Sequence, residues 1–238
     1  MSQFPYNDRQ PAWISASVAG QDTRVREFIR GVYAWMFGGL AITTAAALWV
    51  VNSVAMQELI LRNRMVFFGL IIAEFALVMW TQVRIQRMSA AAAASAFLVY
   101  ALLNGLTLSV IFFVYSSAAI YQAFGTAAFM FGGMSLYGYM TKRDLTSMGT
   151  FLIMGMWGLF IGFIINMFLK SGPLGFLLSA VGVIVFLGLT AYDTQKLKTL
   201  ATATDKRENF AVLGALHLYL DFINLFLMLL RLFGGNRR

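Results

Sequence analysis

The sequence contains no cysteine and only one histidine, His217. Without cysteine there is no disulfide framework, no thiolate metal site and no thiol nucleophile. A single imidazole also excludes zinc motifs and metalloprotease sites that need two or three histidines. Charge is scarce too, because 12% of the 238 residues are charged, against about 25% in a soluble domain. This composition does not suit a surface that faces water.

Apolar residues make up 60% of the chain and are gathered in long runs. Seven runs reach the roughly 20 residues that a bilayer-spanning helix needs. Their short connections predict an all-α membrane protein, with a single seven-helix transmembrane domain over 25–238 and a mobile cytoplasmic tail over 1–24. The tail has no apolar core and lacks the pattern of a signal peptide. The seven runs are 29–51, 65–83, 89–115, 117–140, 147–169, 174–195 and 210–233.

The positions of the basic residues predict the orientation of the bundle. A cytoplasmic N-terminus puts twelve Lys and Arg residues on the inner side and six on the outer side, as the positive-inside rule favours. A re-entrant last run would move three arginines inwards, but its length favours a full crossing with the C-terminus outside. The net charge of +8 then reflects loops that face anionic lipid headgroups, and no nucleic acid partner is expected.

An aspartate near the middle of the last apolar run is the most informative polar residue. Asp221 shares one helical face with His217 and Asn224, which stand four residues before it and three after it. A carboxylate in hydrocarbon costs about 3 kcal/mol or more, so Asp221 requires a water-filled cavity, a cation or a partner side chain. Its structural alternative is a satisfied hydrogen bond.

The candidate partner is Asp193, near the predicted cytoplasmic end of the sixth run. Two close carboxylates cannot both ionise cheaply, so such a pair binds a cation when ionised and shares a proton when the pH falls. The structural alternative for Asp193 is a helix cap or an ion pair with Lys196.

Four further residues are secondary candidates. Glu74, about mid-span in the second run, is an intramembrane acid and is therefore a functional candidate by default. Arg84, ten residues later, is either a latch that pairs with the aspartates and closes the inner mouth or an ordinary inside-positive arginine. His217 is either a proton relay or a packing residue, and Asn224 is either a ligand or a structural hydrogen-bonding group.

Three segments resemble the Bax inhibitor family, in particular its bacterial inner-membrane members: T-A-Y-D-T-Q-K at 190–196, L-Y-L-D-F-I-N-L-F at 218–226 and Y-G-Y-M-T-K-R-D-L at 137–145. The resemblance covers nearly the whole chain from Arg30 onward. It implies six helices around a central hydrophobic one, and a pH-sensitive calcium leak gated by aspartates on helices six and seven. Those aspartates match Asp193 and Asp221, and the family's arginine latch on the second helix corresponds to Arg84.

Calcium takes six to eight oxygen ligands, so Asp193 and Asp221 predict a weak, transient calcium site. We expect a monomer without a cofactor, whose partners are the lipid bilayer and calcium or other cations. An intramembrane aspartyl protease could use two carboxylates to activate water. The G-x-G-D and Pro-Ala-Leu motifs of such proteases are absent, so no enzyme is expected. The alternative is a regulatory protein that binds a membrane protease or another partner, with the tail 1–24 as its handle.

Overall fold

The computed structural model describes residues 12–84, 87–203 and 207–234, and within these ranges the chain is helical almost throughout, with no β-strand. Short helical segments at Val54–Gln57 and Glu58–Arg62 join the first two long helices, and another, Ile111–Val114, follows the third. The long helices are α1 (Ala12–Val51), α2 (Arg64–Arg84), α3 (Ala90–Leu108), α4 (Ser117–Met140), α5 (Thr146–Leu169), α6 (Gly172–Ala203) and α7 (Arg207–Gly234).

Six of these helices are long and apolar enough to cross a membrane: α1, α2, α3 with its extension to Val114, α5, α6 and α7. Helix α4 has 24 residues, as many as α5, and carries no charge. Because glycine, serine, tyrosine and glutamine interrupt its apolar residues, its mean hydropathy falls short of that of the six candidate spans. The all-helical, multi-pass class is therefore confirmed, while a crossing by α4 stays a prediction.

The first and third helices differ in detail from the predicted apolar runs. Helix α1 begins at Ala12, before the run that starts at residue 29, so residues 12–24 of the predicted tail are helical, and residues 1–11 lie outside the described ranges. The third run forms a candidate span over Ala90–Val114, but its helix is interrupted, because α3 ends at Leu108 and the chain turns before Ile111–Val114. At the turn, the Ser109 hydroxyl donates to the Leu106 carbonyl over 2.6 Å. Such local hydrogen bonds compete with continuation of a helix.

Helix α6 continues to Ala203, beyond the predicted end at residue 195. The extension is amphipathic, because Leu197 and Ala201 are buried while Lys196 is exposed. The prediction that Asp193 lies near the end of its helix was therefore wrong, since ten residues of α6 follow it. The link to α7 is also shorter than the predicted loop, because α7 begins at Arg207.

Helix α7 is the most buried part of the bundle. In its most apolar stretch 72% of the residues are buried, against 6% in α2 and 11% in α5. It packs against α1, α3, α4 and α6, whereas α2 packs mainly on α3 and α5 mainly on α6. Polar side chains on α7 are consequently surrounded by protein and not by lipid.

Helices α4 and α6 touch backbone to backbone at the level of Asp193. A Cβ atom added at Gly138 would lie 2.2 Å from the Ala191 carbonyl oxygen, so only glycine fits there. Just beyond, the Gln195 side chain accepts from the Leu145 N–H over 2.9 Å and donates to the Arg143 carbonyl over 2.7 Å. The segments 137–145 and 190–196 are therefore in direct contact.

This contact predicts that Gly138→Ala destabilises the protein by about 1–3 kcal/mol, because the added methyl group overpacks two backbones. The matched control is Gly132→Ala on the same helix, where an added Cβ meets nothing within 4 Å. The control should be neutral or slightly stabilising, since alanine has the better helix propensity. Thermal unfolding of the purified variants in detergent measures both effects. Equal melting temperatures for the two variants would contradict the predicted overpacking.

Candidate functional site

The structure brings the two predicted aspartates together between α6 and α7. Asp221, midway along α7, is 6% exposed, and among the described residues its Oδ2 atom has no hydrogen-bond partner. Asp193 is half-buried on α6 and interacts electrostatically with Asp221. Two carboxylates on neighbouring helices are thus close enough to repel each other, and one of them has a buried oxygen without a hydrogen-bond partner among the described residues.

A histidine and a lysine lie beside Asp193. Both His217 on α7 and Lys196 on α6 interact electrostatically with this carboxylate. The Nε2 atom of His217 lies within 3.2 Å of the side-chain oxygen of Gln82 on α2. Lys196 directs its ammonium group over the Tyr192 ring, 5.6 Å from the centroid. The carboxylate pair is therefore part of a polar cluster to which three helices contribute.

Arg84 is not part of this cluster. Its side chain is exposed at the end of α2, and within the described ranges the one ion pair shorter than 4.0 Å joins Arg62 to Glu58. The α2 side chain that reaches the cluster is Gln82. Arg84 follows two positions later, and residues two positions apart on a helix point roughly 200° away from each other, so Arg84 lies on the opposite face of α2. A latch formed by Arg84 stays a prediction that this conformation does not display.

Asn224 makes no hydrogen bond to the pair among the described residues. Its side-chain amide donates to the Leu220 carbonyl one turn back on the same helix, over 2.8 Å. This bond satisfies a polar group within α7. Its geometry corresponds to the structural alternative for this residue.

Glu74 belongs to a second buried network that joins four helices. Its Oε1 accepts from the Thr107 hydroxyl over 2.8 Å, and its Oε2 accepts from the Asn104 amide over 3.2 Å. The Tyr219 hydroxyl donates to the Asn104 Oδ1 over 2.9 Å and lies 2.6 Å from the Thr43 hydroxyl. Both oxygens of Glu74 are therefore held by α3, and Tyr219 extends the network to α7 and α1.

This network holds α7 at the level just before Asp221. The Tyr219 ring is fully buried and makes edge-on contacts with the rings of Phe97 and Tyr100, with centroids 5.7 and 5.8 Å away. Sequence reasoning selected Glu74 and expected Asn104 to form an interhelical hydrogen bond, but it did not identify Thr107 or Tyr219 as members of the network. The available signal for Tyr219 was a tyrosine two positions before Asp221 in a mostly apolar run.

The chemistry open to the carboxylate pair is limited by its number of ligands. Among the described residues, no three His, Cys, Asp or Glu side chains form a group that could hold a metal ion. Two aspartates supply fewer oxygens than calcium takes, so water would complete its shell. The geometry suits a weakly held cation or a shared proton.

These features define a multi-pass, all-helical membrane protein with a buried carboxylate pair. The family model described as "Inhibitor of apoptosis-promoting Bax1" matches residues 25–238, and the chain accordingly belongs to the Bax inhibitor family. It is 46% identical to "Inner membrane protein YbhL" of Escherichia coli (strain K12) over the full length of both chains. An uncharacterized protein of Deinococcus radiodurans is 42% identical over 90% of this chain and 92% of its own.

The four-helix network predicts that Tyr219→Phe lowers the free energy of unfolding by about 0.5–2 kcal/mol. The substitution keeps the buried ring but leaves the side chains of Asn104 and Thr43 without the tyrosine hydroxyl. The matched control is Tyr121→Phe, because Tyr121 is 76% exposed and loses no buried hydrogen bond. Denaturant unfolding in mixed micelles measures both variants, and an equal effect at the two positions would refute a stabilising role for the network.

Proposed function

We propose that the protein is a pH-sensitive cation leak channel or transporter of the bacterial inner membrane, with calcium as its ion and the aspartate pair as its gate. One observation carries the proposal: a buried oxygen of Asp221 has no hydrogen-bond partner in the part of the chain that the structure describes, and it belongs to a carboxylate that interacts with a second one, Asp193. The name of the Escherichia coli relative, an inner membrane protein, supports the proposed location in the inner membrane. The charge bias supports a cytoplasmic N-terminus.

The energetics of Asp221 explain why such a site would sense both cations and protons. An ionised carboxylate that is buried without a partner costs several kcal/mol. Either a bound cation or a proton removes that cost, so the two compete for the same oxygens. A cation held by only two carboxylates leaves easily, which conduction requires.

The surroundings of the pair suggest a closed passage. On the side of α7 that leads towards its N-terminus, Asp193 faces His217 and Lys196. On the other side, Leu225 and Leu230 are almost fully buried and offer no oxygen to a cation. In the proposed mechanism, a change in the charge of the aspartate pair shifts α7 against α6 and opens the passage beside Leu225 and Leu230. The same tight packing of α7 would make the change two-state rather than gradual.

The proposal predicts that Asp193→Asn and Asp221→Asn each flatten the pH dependence of calcium flux. Asparagine keeps the size of the side chain but cannot take up or release a proton. The measurement is calcium entry into proteoliposomes that contain the full-length chain, from about pH 5 to about pH 8. Sodium and potassium are compared in the same vesicles.

The matched control is Asp144→Asn in the link between α4 and α5. Asp144 is exposed, and its Oδ1 accepts from the Thr146 N–H over 2.9 Å. Hydrogen bonds from Thr146 lower the pKa of this carboxyl, so it stays ionised through the assay range, and asparagine also caps helices well. Its flux profile should match that of the unaltered protein. Unaltered profiles for both pair variants, or no flux from any of the proteins, would overturn the proposed gate and favour the regulatory role.

A further inference from the structure

An open, cationic pocket lies at the end of the bundle opposite the carboxylate pair. It has a volume of about 920 Å³ and lies where α5 and α7 end and where α4 and α6 begin. Lys170 and Arg231 are its two charged lining residues, and no carboxylate contributes to its lining. The remaining polar lining comes from amide and hydroxyl side chains, among them Gln122 and Asn166.

Both cations are without an acidic partner among the described residues, because within those ranges neither Lys170 nor Arg231 makes an ion pair shorter than 4.0 Å. The Arg231 guanidinium stacks over the Phe163 ring, 4.4 Å from its centroid, which orients its planar donors. The Lys170 backbone adopts a left-handed conformation with φ 51°, and its N–H donates to the Asn166 carbonyl over 2.7 Å. Two positive charges are thus positioned without an anion between them.

The pocket lies at the depth of the lipid headgroups. The spanning segments Thr146–Leu169 and Gly172–Thr202 end and begin at its edge, where a spanning helix leaves the hydrocarbon. An exposed apolar side chain also lines the pocket, because Phe176 is 64% exposed. A ligand that combines an anionic head with apolar chains fits this pairing of surfaces.

We infer that this pocket binds the phosphate group of an anionic membrane phospholipid. The guanidinium of Arg231 matches the paired oxygens of a phosphodiester, and the ammonium of Lys170 adds a second charge-assisted contact. The acyl chains lie along Phe176, parallel to α6. The inference does not depend on the proposed ion flux, because none of the residues of the carboxylate pair contributes to the pocket.

The test is a lipid titration of the delipidated full-length protein in a neutral detergent, followed by native mass spectrometry. The probes are dioleoyl phosphatidylglycerol, dioleoyl phosphatidylcholine and inorganic phosphate. We expect the unaltered protein to retain phosphatidylglycerol in preference to phosphatidylcholine. Lys170→Gln and Arg231→Gln should each weaken that binding about tenfold, as the loss of one charge-assisted contact implies.

Three further variants make the outcome decisive. Arg62→Gln removes a cation at the same end of the bundle that is 79% exposed and already paired with Glu58, and it should leave binding unchanged. Lys170→Arg keeps the charge and should retain most of the binding, whereas Arg231→Lys keeps the charge but not the paired donors and should retain only part of it. Equal retention by the Lys170→Gln/Arg231→Gln double variant, an equal loss in Arg62→Gln, or displacement of phosphatidylglycerol by inorganic phosphate would overturn the inference.

Discussion

A buried carboxylate in a membrane-spanning helix is stable only if something else compensates its charge, and this constraint organises the structure around α7. Lipid cannot supply that compensation, because it offers no hydrogen bonds. Helix α7 therefore lies among four neighbours, and its polar side chains face protein. Among the described residues, the charge that acts on Asp221 is a second carboxylate, Asp193, and not a counter-charge. In the proposed function, a proton or a cation supplies the remaining compensation.

The two buried acid sites show contrasting solutions to the same problem. Glu74 is fully hydrogen-bonded by Asn104 and Thr107, which makes it a structural connection between α2 and α3. Asp221 has an oxygen without a hydrogen-bond partner among the described residues, and in the proposed function this oxygen takes up a proton or a cation. Because Tyr219 belongs to the first network and lies two residues before Asp221, that network fixes the position of Asp221 on α7. The satisfied acid and the unsatisfied acid are thus connected through one helix.

Sequence reasoning identified the aspartates because a charge within an apolar run is conspicuous, and periodicity alone placed Asp221 on the inner face. It could not decide the role of Arg84, because both a latch and the positive-inside rule predict a basic residue at that end of the helix. It also missed Gln82, a neutral side chain whose contact with His217 depends on how α2 is rotated about its axis. The end of α6 was misjudged because hydropathy falls at Lys196 while the helix continues amphipathically to Ala203.

By itself, the sequence determined that the chain is a multi-pass helical membrane protein of the Bax inhibitor family with two intramembrane aspartates. Length, apolar composition and local motifs are properties of consecutive residues, so they can be identified without knowing how the helices pack. Only the tertiary structure decided which polar side chains meet. It paired Asp193 with Asp221, joined Glu74 to Tyr219 through Asn104, and left Arg84 exposed. Such contacts depend on the rotation and depth of each helix in the bundle, which no single segment of sequence encodes.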